Sequence, residues 1–364
     1  MGYVDLGWQD GRHVRKYVQG RNRDEVRERV KALIRNIDDG LPPPAHSPRM
    51  NEFLANWLSA VKPALRRSTY VSYEGVVRLH LMPEIGRLAL EKLTVDDIAG
   101  LIGRKGRDPH LSATTVRYIL LILRNALNKA VRWGLVARNV AALVDPPRIS
   151  HKEVRVLSPE ETLKLLGAAR GEAIEGLLVI AVSTGVRLGE ALALQWKDVD
   201  LERREVRISK SLQRIPGQGQ VVSETKTRRG RRALVLPMRT VEALRTHRSE
   251  QQSWRRAAGP SWNEHDFVFT SSSGQPLDQR NVLRMFRRVL RRAKLPKMRF
   301  HDLRHSCASL LLAEHTDPRV IMETLGHSNI SVTLNMYAHV MPALKRDAAD
   351  AMDRSLGRDG GRDR

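Results

Sequence analysis

Apolar positions recur along this chain with two different periods. Near the start, residues 3–6 and 13–18 alternate around Asp10-Gly11, a turn pair, and predict two short strands. Residues 22–37 then carry Val26, Val30, Leu33, Ile34 and Ile37 at the spacing of one helical face. Pro42, Pro43, Pro44 and Pro48 interrupt regular structure and mark a linker. Beyond it the helical period dominates. Phe53, Leu54, Trp57, Leu58 and Val61 share a face. A second helix is expected over 68–81, ending before Pro83, because proline removes a backbone donor and crowds the preceding turn. Thr94 with Asp97 predicts a capping box, with Asp in place of the usual Glu. Ser112 opens a longer helix through Tyr118, Leu121, Ala126 and Val131, and Gly134 closes it.

Asp145-Pro146-Pro147 is the next break. After it, Ser158, Pro159 and Glu161 stand where an N-cap, a first helical residue and a reciprocal capping partner belong. A helix over 174–183 leads into Thr184-Gly185. Val206, Ile208, Val221, Leu234 and Leu236 predict short strands, with turns near 217–219 and 228–232. Helix resumes after Asp278, and Asp317-Pro318 starts another that ends near Gly326. The Gly-, Asp- and Arg-rich stretch 357–364 reads as disordered. The pattern predicts a mainly α chain with small β elements. Its expected parts are a small α/β module over 1–45, an all-α domain over 46–148, a mixed α+β domain over 149–356, and a tail.

Charge sharpens this picture. Lys and Arg number 63 against 40 Asp and Glu, a formal net charge of +23. Such an excess favours a polyanionic partner, because each neutralised phosphate releases condensed counterions. The one cysteine, Cys307, rules out an internal disulfide and fits a reducing cytoplasm. No apolar run approaches the roughly 18 residues of a membrane span, and the start of the chain has no secretory apolar region. No membrane partner is expected.

The candidate chemistry lies in the last part. Arg187 and Glu190 are three residues apart, so on a helix the carboxylate would orient the guanidinium. His301 and Arg304 have the same spacing. Residues 226–232 include Lys226, Arg228, Arg229, Arg231 and Arg232. Arg287, Arg288 and Arg291 alternate with apolar residues in a basic amphipathic helix. These hairpin and helix arginines are the expected contacts to a polyanion's phosphates. His327 and Tyr337 complete the set.

Arginines, a lysine, histidines and a tyrosine, without a carboxylate pair, suit attack on a phosphodiester. Two guanidiniums neutralise charge on the nonbridging oxygens. Forming a phenolate at pH 7 from a phenol of pKa ~10 costs about 4 kcal/mol, which a base such as His301 offsets. Lys226, or its rival Lys210, would protonate the leaving oxygen. A rival arrangement, His301 and His305 at i, i+4, resembles half of a zinc hydrolase site. The chain also lacks a phosphate-binding G-x-x-x-x-G-K-[ST] loop.

Taken together, over about residues 157–340, these stretches resemble the tyrosine recombinase family, the integrases of phages and integrative elements. The Arg187 segment resembles the family's first arginine box. His301-x-x-Arg304 resembles the second and Leu325-Gly326-His327 the third. Tyr337, ten residues past His327, stands where the family's nucleophile falls. The resemblance implies catalytic roles for Arg187, Lys226, His301, Arg304, His327 and Tyr337, with Glu190 behind them. It implies cleavage through a 3′-phosphotyrosine, with no cofactor, metal or ATP. It implies double-stranded DNA attachment sites as the polyanionic partner and a tetramer on two duplexes. It makes an excision directionality factor and a host DNA-bending protein plausible, and implies a shortened arm-binding module ahead of a SAM-like core-binding domain. The other class of function considered is a DNA-binding protein, derived from an integrase, that no longer catalyses.

Overall fold

The computed structural model describes residues 1–9, 12–20, 22–38, 48–149, 155–225, 230–326, 349–350 and 352–356. They divide into two compact units, Met1–His151 and Lys152–Arg364.

In the first unit, β1 (Gly2–Gln9) pairs antiparallel with β2 (Arg12–Val18), from Gly2↔Val18 to Gln9↔Arg12, with a register irregularity between Asp5 and Trp8. The expected turn residues Asp10 and Gly11 lie outside the described residues. α1 (Arg23–Asp38) follows, and Asn22 Oδ1 caps it by accepting the Glu25 N–H at 2.8 Å. The helical part has its own core. α2 (Met50–Val61) buries Met50, Phe53, Leu54, Trp57 and Leu58. The Trp57 indole stacks on Tyr73 of α3 (Arg67–Val76), with centroids 5.7 Å apart.

The helix does not end before Pro83, as the sequence predicts. After α3 the backbone widens into a π-turn over Val77–Leu81 and continues as α4 (Met82–Ile85). The Met82 N–H reaches back to the Val77 carbonyl. Pro83 therefore stands in the first turn of a new helical segment, where its missing donor costs nothing. Val77, Leu81 and Ile85 stay buried across the junction, which is the reason to keep the chain helical there. α5 (Val95–Arg107) starts with the expected capping box: Thr94 Oγ1 accepts the Asp97 N–H at 3.2 Å, and Asp97 Oδ2 accepts the Thr94 N–H at 2.9 Å. α6 (Ala113–Arg132), capped by Ser112, buries Val116, Ile119, Leu120, Leu123, Ala126 and Leu127. Gly134 follows with φ +68°.

The second unit is built around α8. α7 (Pro159–Ala169) begins at the Ser158–Glu161 capping box. α8 (Glu175–Thr184) is apolar nearly all round, and Leu177, Leu178, Val179, Ile180 and Ala181 are all buried. A helix with no polar face belongs in the middle of a core. α7, α9 (Leu188–Leu192) and the later helices Met238–Ala258 and Asp302–Ala313 pack around it. β3 (Val199–Asp200) and β4 (Glu205–Ile208) are followed by a hairpin of β5 (Lys210–Ile215) and β6 (Gly219–Glu224). β7 (Arg232–Val235) then returns to make a small antiparallel sheet in the order β3-β4-β7. α10 (Met238–Ala258), α11 (Gln279–Arg292), α12 (Asp302–Ala313) and α13 (Pro318–Leu325) complete the unit.

The sequence pattern missed α10. Its buried face is Thr240, Val241, Leu244, His247 and Gln251, so three of five inward positions are polar. Each finds its partner in another segment of the unit. His247 Nε2 donates to the Val268 carbonyl at 2.8 Å, and Gln251 Nε2 donates to the Phe267 carbonyl at 2.9 Å. Thr240 and Ser183 share a hydroxyl bond of 2.8 Å. No described helix is long and apolar enough to cross a membrane.

Candidate active site

The site forms where α8 ends, α9 starts and α12 passes beside both. Gly185 terminates α8 in the left-handed conformation, φ +62°. That conformation favours glycine, and a methyl group there would also collide with Leu325. The freed Gly185 carbonyl accepts Arg304 Nη1 at 2.7 Å. Arg304 lies on α12 and is 2% exposed. Burial first, then the nearby cations Arg187 and Arg232, push its guanidinium down to about 9.

Two residues past Gly185, Arg187 is the N-cap of α9. Glu190, one turn on, accepts the Arg187 N–H at 3.1 Å on Oε2 and Arg187 Nη1 at 2.7 Å on Oε1. The Glu190 carboxylate is buried, and it also accepts Arg232 Nη2 at 3.0 Å. Burial by itself would raise its carboxyl pKa; Arg232 and Arg187 outweigh that and hold it below the usual range. His301 stands one residue before α12, its ring 5.2 Å from that of His305 and nearly perpendicular. It keeps contact with solvent, yet partial burial, His305, Arg304 and Arg187 push its imidazole down to about 4. His301 is therefore neutral at physiological pH. The α12 start is held by Asp302, which accepts Arg299 Nε at 3.0 Å and Nη2 at 2.8 Å.

The arrangement gathers three guanidiniums and a neutral imidazole. Among the described residues, the carboxylate bonded to these guanidiniums is Glu190 alone. The local balance is positive, which suits a ligand carrying negative charge. Arg187, Glu190, His301 and Arg304 are thus brought together. Lys226, Arg228, Arg229, His327 and Tyr337 lie outside the described residues. Lys210 Nζ donates to Gln195 Oε1 at 3.0 Å.

The expected DNA contacts divide. Arg287, Arg288 and Arg291 are exposed on α11, whose other face buries Val282, Phe286, Val289 and Leu290. Arg231 is exposed and paired with Glu224. Arg232 is a correction. Its side chain is only 7% exposed, because it shares a face of β7 with Leu234 and turns into the unit. Its fork is taken up by Glu190, by the Thr324 carbonyl at 2.7 Å from Nε, and by the Gly230 carbonyl at 3.3 Å from Nη1. The alternation Arg232, Leu234, Leu236 is the sequence signal that separates it from its neighbours. Nothing in the sequence marked the Gly185 carbonyl as a guanidinium acceptor.

The stretch 155–343 matches the model of the phage integrase family, and 50–104 matches that of the phage integrase N-terminal SAM-like domain. The chain belongs to the phage integrase family. It is a tyrosine-type site-specific recombinase. The recombinase is 29% identical to an integrase of Streptomyces ambofaciens, over 96% of this chain and 92% of that one. It is 27% identical to a "tyrosine recombinase XerC-like" protein of Caldanaerobacter subterraneus subsp. tengcongensis, over 95% and 93%. Its fold is similar to that of the Tn1549 transposon integrase solved with transposon right end DNA, with TM-score 0.71, 23% identity, 85% of this chain and 99% of that one covered. It is also similar to lambda integrase in a tetramer bound to a Holliday junction, with TM-score 0.60, 18% identity and coverage of 90% and 89%. The two alternatives are not favoured by these relatives.

Proposed function

We propose that the recombinase cleaves and rejoins double-stranded DNA attachment sites through a 3′-phosphotyrosine on Tyr337, to integrate or excise a mobile element. The observation that carries this reading is the convergence of Arg187 and Arg304 from two elements on one positively charged site. In this reading the scissile phosphate sits between the two guanidiniums, which neutralise charge growing on its nonbridging oxygens. Neutral His301 takes the phenol proton as the Tyr337 oxygen attacks phosphorus. The bond to the 5′ oxygen breaks, and Lys226 gives that oxygen a proton. His327 adds a donor to the phosphate. The 5′ hydroxyl of a partner strand then reverses the step. One phosphodiester is exchanged for another, so no nucleotide is consumed.

The remaining parts have roles in the same scheme. Residues 46–148 and the catalytic domain grip the core site, and residues 1–45 read a second class of site. Four copies act on two duplexes in the cytoplasm, with a directionality factor and a DNA-bending protein as accessory partners. The decisive experiment uses a nicked suicide substrate. A denaturation-resistant adduct should form and map to Tyr337, while Tyr337→Phe should bind DNA and form none. Recombination by Tyr337→Phe would overturn the proposal.

A further inference from the structure

Arg232 is buried beside the site without reaching its solvent side. Three acceptors from three parts of the second unit converge on it. Nη2 meets Glu190 of α9, Nε meets the Thr324 carbonyl in the last turn of α13, and Nη1 meets Gly230 just before β7. A side chain committed in this way is not a phosphate contact. Nor is packing a sufficient reason for it, since a buried ion pair rarely outperforms well-packed apolar side chains of similar volume. What an arginine supplies here is orientation, because its planar fork fixes several acceptors at once.

The geometry points to Arg232 as a positioning residue for strand cleavage, one that fixes Arg187 through Glu190 and fixes the end of α13 through the Thr324 carbonyl. The two Glu190 oxygens are divided: Oε1 takes the Arg187 guanidinium, while Oε2 takes Arg232 and the Arg187 backbone N–H. Held at Oε2, the carboxylate offers Arg187 a single oxygen, and the side chain of Arg187 stays 41% exposed, with donors left for a phosphate. Without Arg232, both oxygens become available to Arg187, and a bidentate pair would draw that guanidinium away from the substrate. The second arm acts on a different segment. Thr324 is two residues before Gly326, whose left-handed turn (φ +66°) ends α13 and leads to His327. A lysine at 232 would hold one acceptor but cannot span the fork.

This inference rests on the proposed cleavage reaction, and the test separates the two. Single-turnover formation of the covalent adduct is measured at saturating suicide substrate for the wild type, Arg232→Gln, Arg232→Lys, Arg187→Ala and Arg187→Ala/Arg232→Gln. DNA affinity and the final amplitude of adduct are measured alongside. Arg232→Gln should slow adduct formation by roughly 10- to 100-fold, with Kd within about threefold and amplitude retained, which is the signature of lost transition-state stabilisation. A merely structural role would instead lower the amplitude. Arg232→Lys should recover part of the rate. In the double variant, Arg232→Gln should cost less than it does alone, because the part of its effect that passes through Glu190 and Arg187 is already lost. An unchanged rate, a Kd that rises in step with the rate loss, or fully multiplicative effects would overturn the inference. Absence of adduct from the wild type would overturn the cleavage reaction, and the inference with it.

Discussion

Two groups of arginines in the second unit share a side chain and little else. Those of α11, Arg287, Arg288 and Arg291, stand in water on the back of an amphipathic helix. Their charges are screened and interchangeable, and in the proposed complex each would add to DNA affinity mainly by displacing a counterion. Arg304 and Arg232 are buried, and with Arg187 they are aimed by the Gly185 carbonyl and by Glu190. Burial first, and then the neighbouring cations Arg187 and Arg232, disfavour the charged guanidinium of Arg304 and depress its pKa. Glu190 and the Gly185 carbonyl offset part of that cost, and a bound phosphate, as in the proposed reaction, would offset more. In the proposed reaction, the exposed arginines of α11 would supply binding, and the sheltered ones orientation and stabilisation of the transition state.

The sharpest break between the groups should appear in kinetics. Arg304→Ala or Arg187→Ala should slow cleavage at saturating DNA by about 10²–10³-fold, the effect of losing one preorganised donor, while Kd changes little. Loss of affinity in proportion to rate would make these arginines equivalent to those of α11. Next in size is Gly185→Ala. Strain at φ +62° and the collision with Leu325 should lower stability by roughly 1–3 kcal/mol in denaturant titrations, and the displaced carbonyl should slow cleavage as well. A third test uses pH. Folding depresses the His301 pKa from 6.5 to about 4, so between those values the unfolded chain binds more protons. Stability should therefore rise as pH increases through that window, with His305 and His247 shifted in the same direction. His301→Gln should flatten the slope in melts across that window. The smallest effect belongs to α11. Arg287→Ala, Arg288→Ala or Arg291→Ala should each reduce the slope of log affinity against log salt by about 1, without changing the saturated cleavage rate.

What was legible in the sequence was local. Caps at Thr94, Ser112, Ser158 and Asp317 and the helix ends near Gly185 and Gly326 depend on neighbours a few residues away, and they stand as expected; the left-handed conformation of both glycines is seen only in the structure. The site pairing of Arg187 with Glu190 is equally local, one helical turn. The pattern failed where distant groups intervene. α10 turns polar residues inward because carbonyls of 267 and 268 await them. The chain stays helical into Pro83 because burial of Leu81 and Ile85 favours a widened turn over a break.

By itself, then, the sequence determined the helical caps, the apolar stripes, the positive charge and the order of the boxes that mark the family. Only the tertiary structure decided which arginines stand in water and which hold other residues. Arg231 and Arg232 are adjacent in sequence and equally charged, yet one is exposed beside Glu224 and the other is sealed against Glu190 and Thr324. The reason is physical: an arginine's role follows from its acceptors and its access to water, and both are supplied by segments far away along the chain.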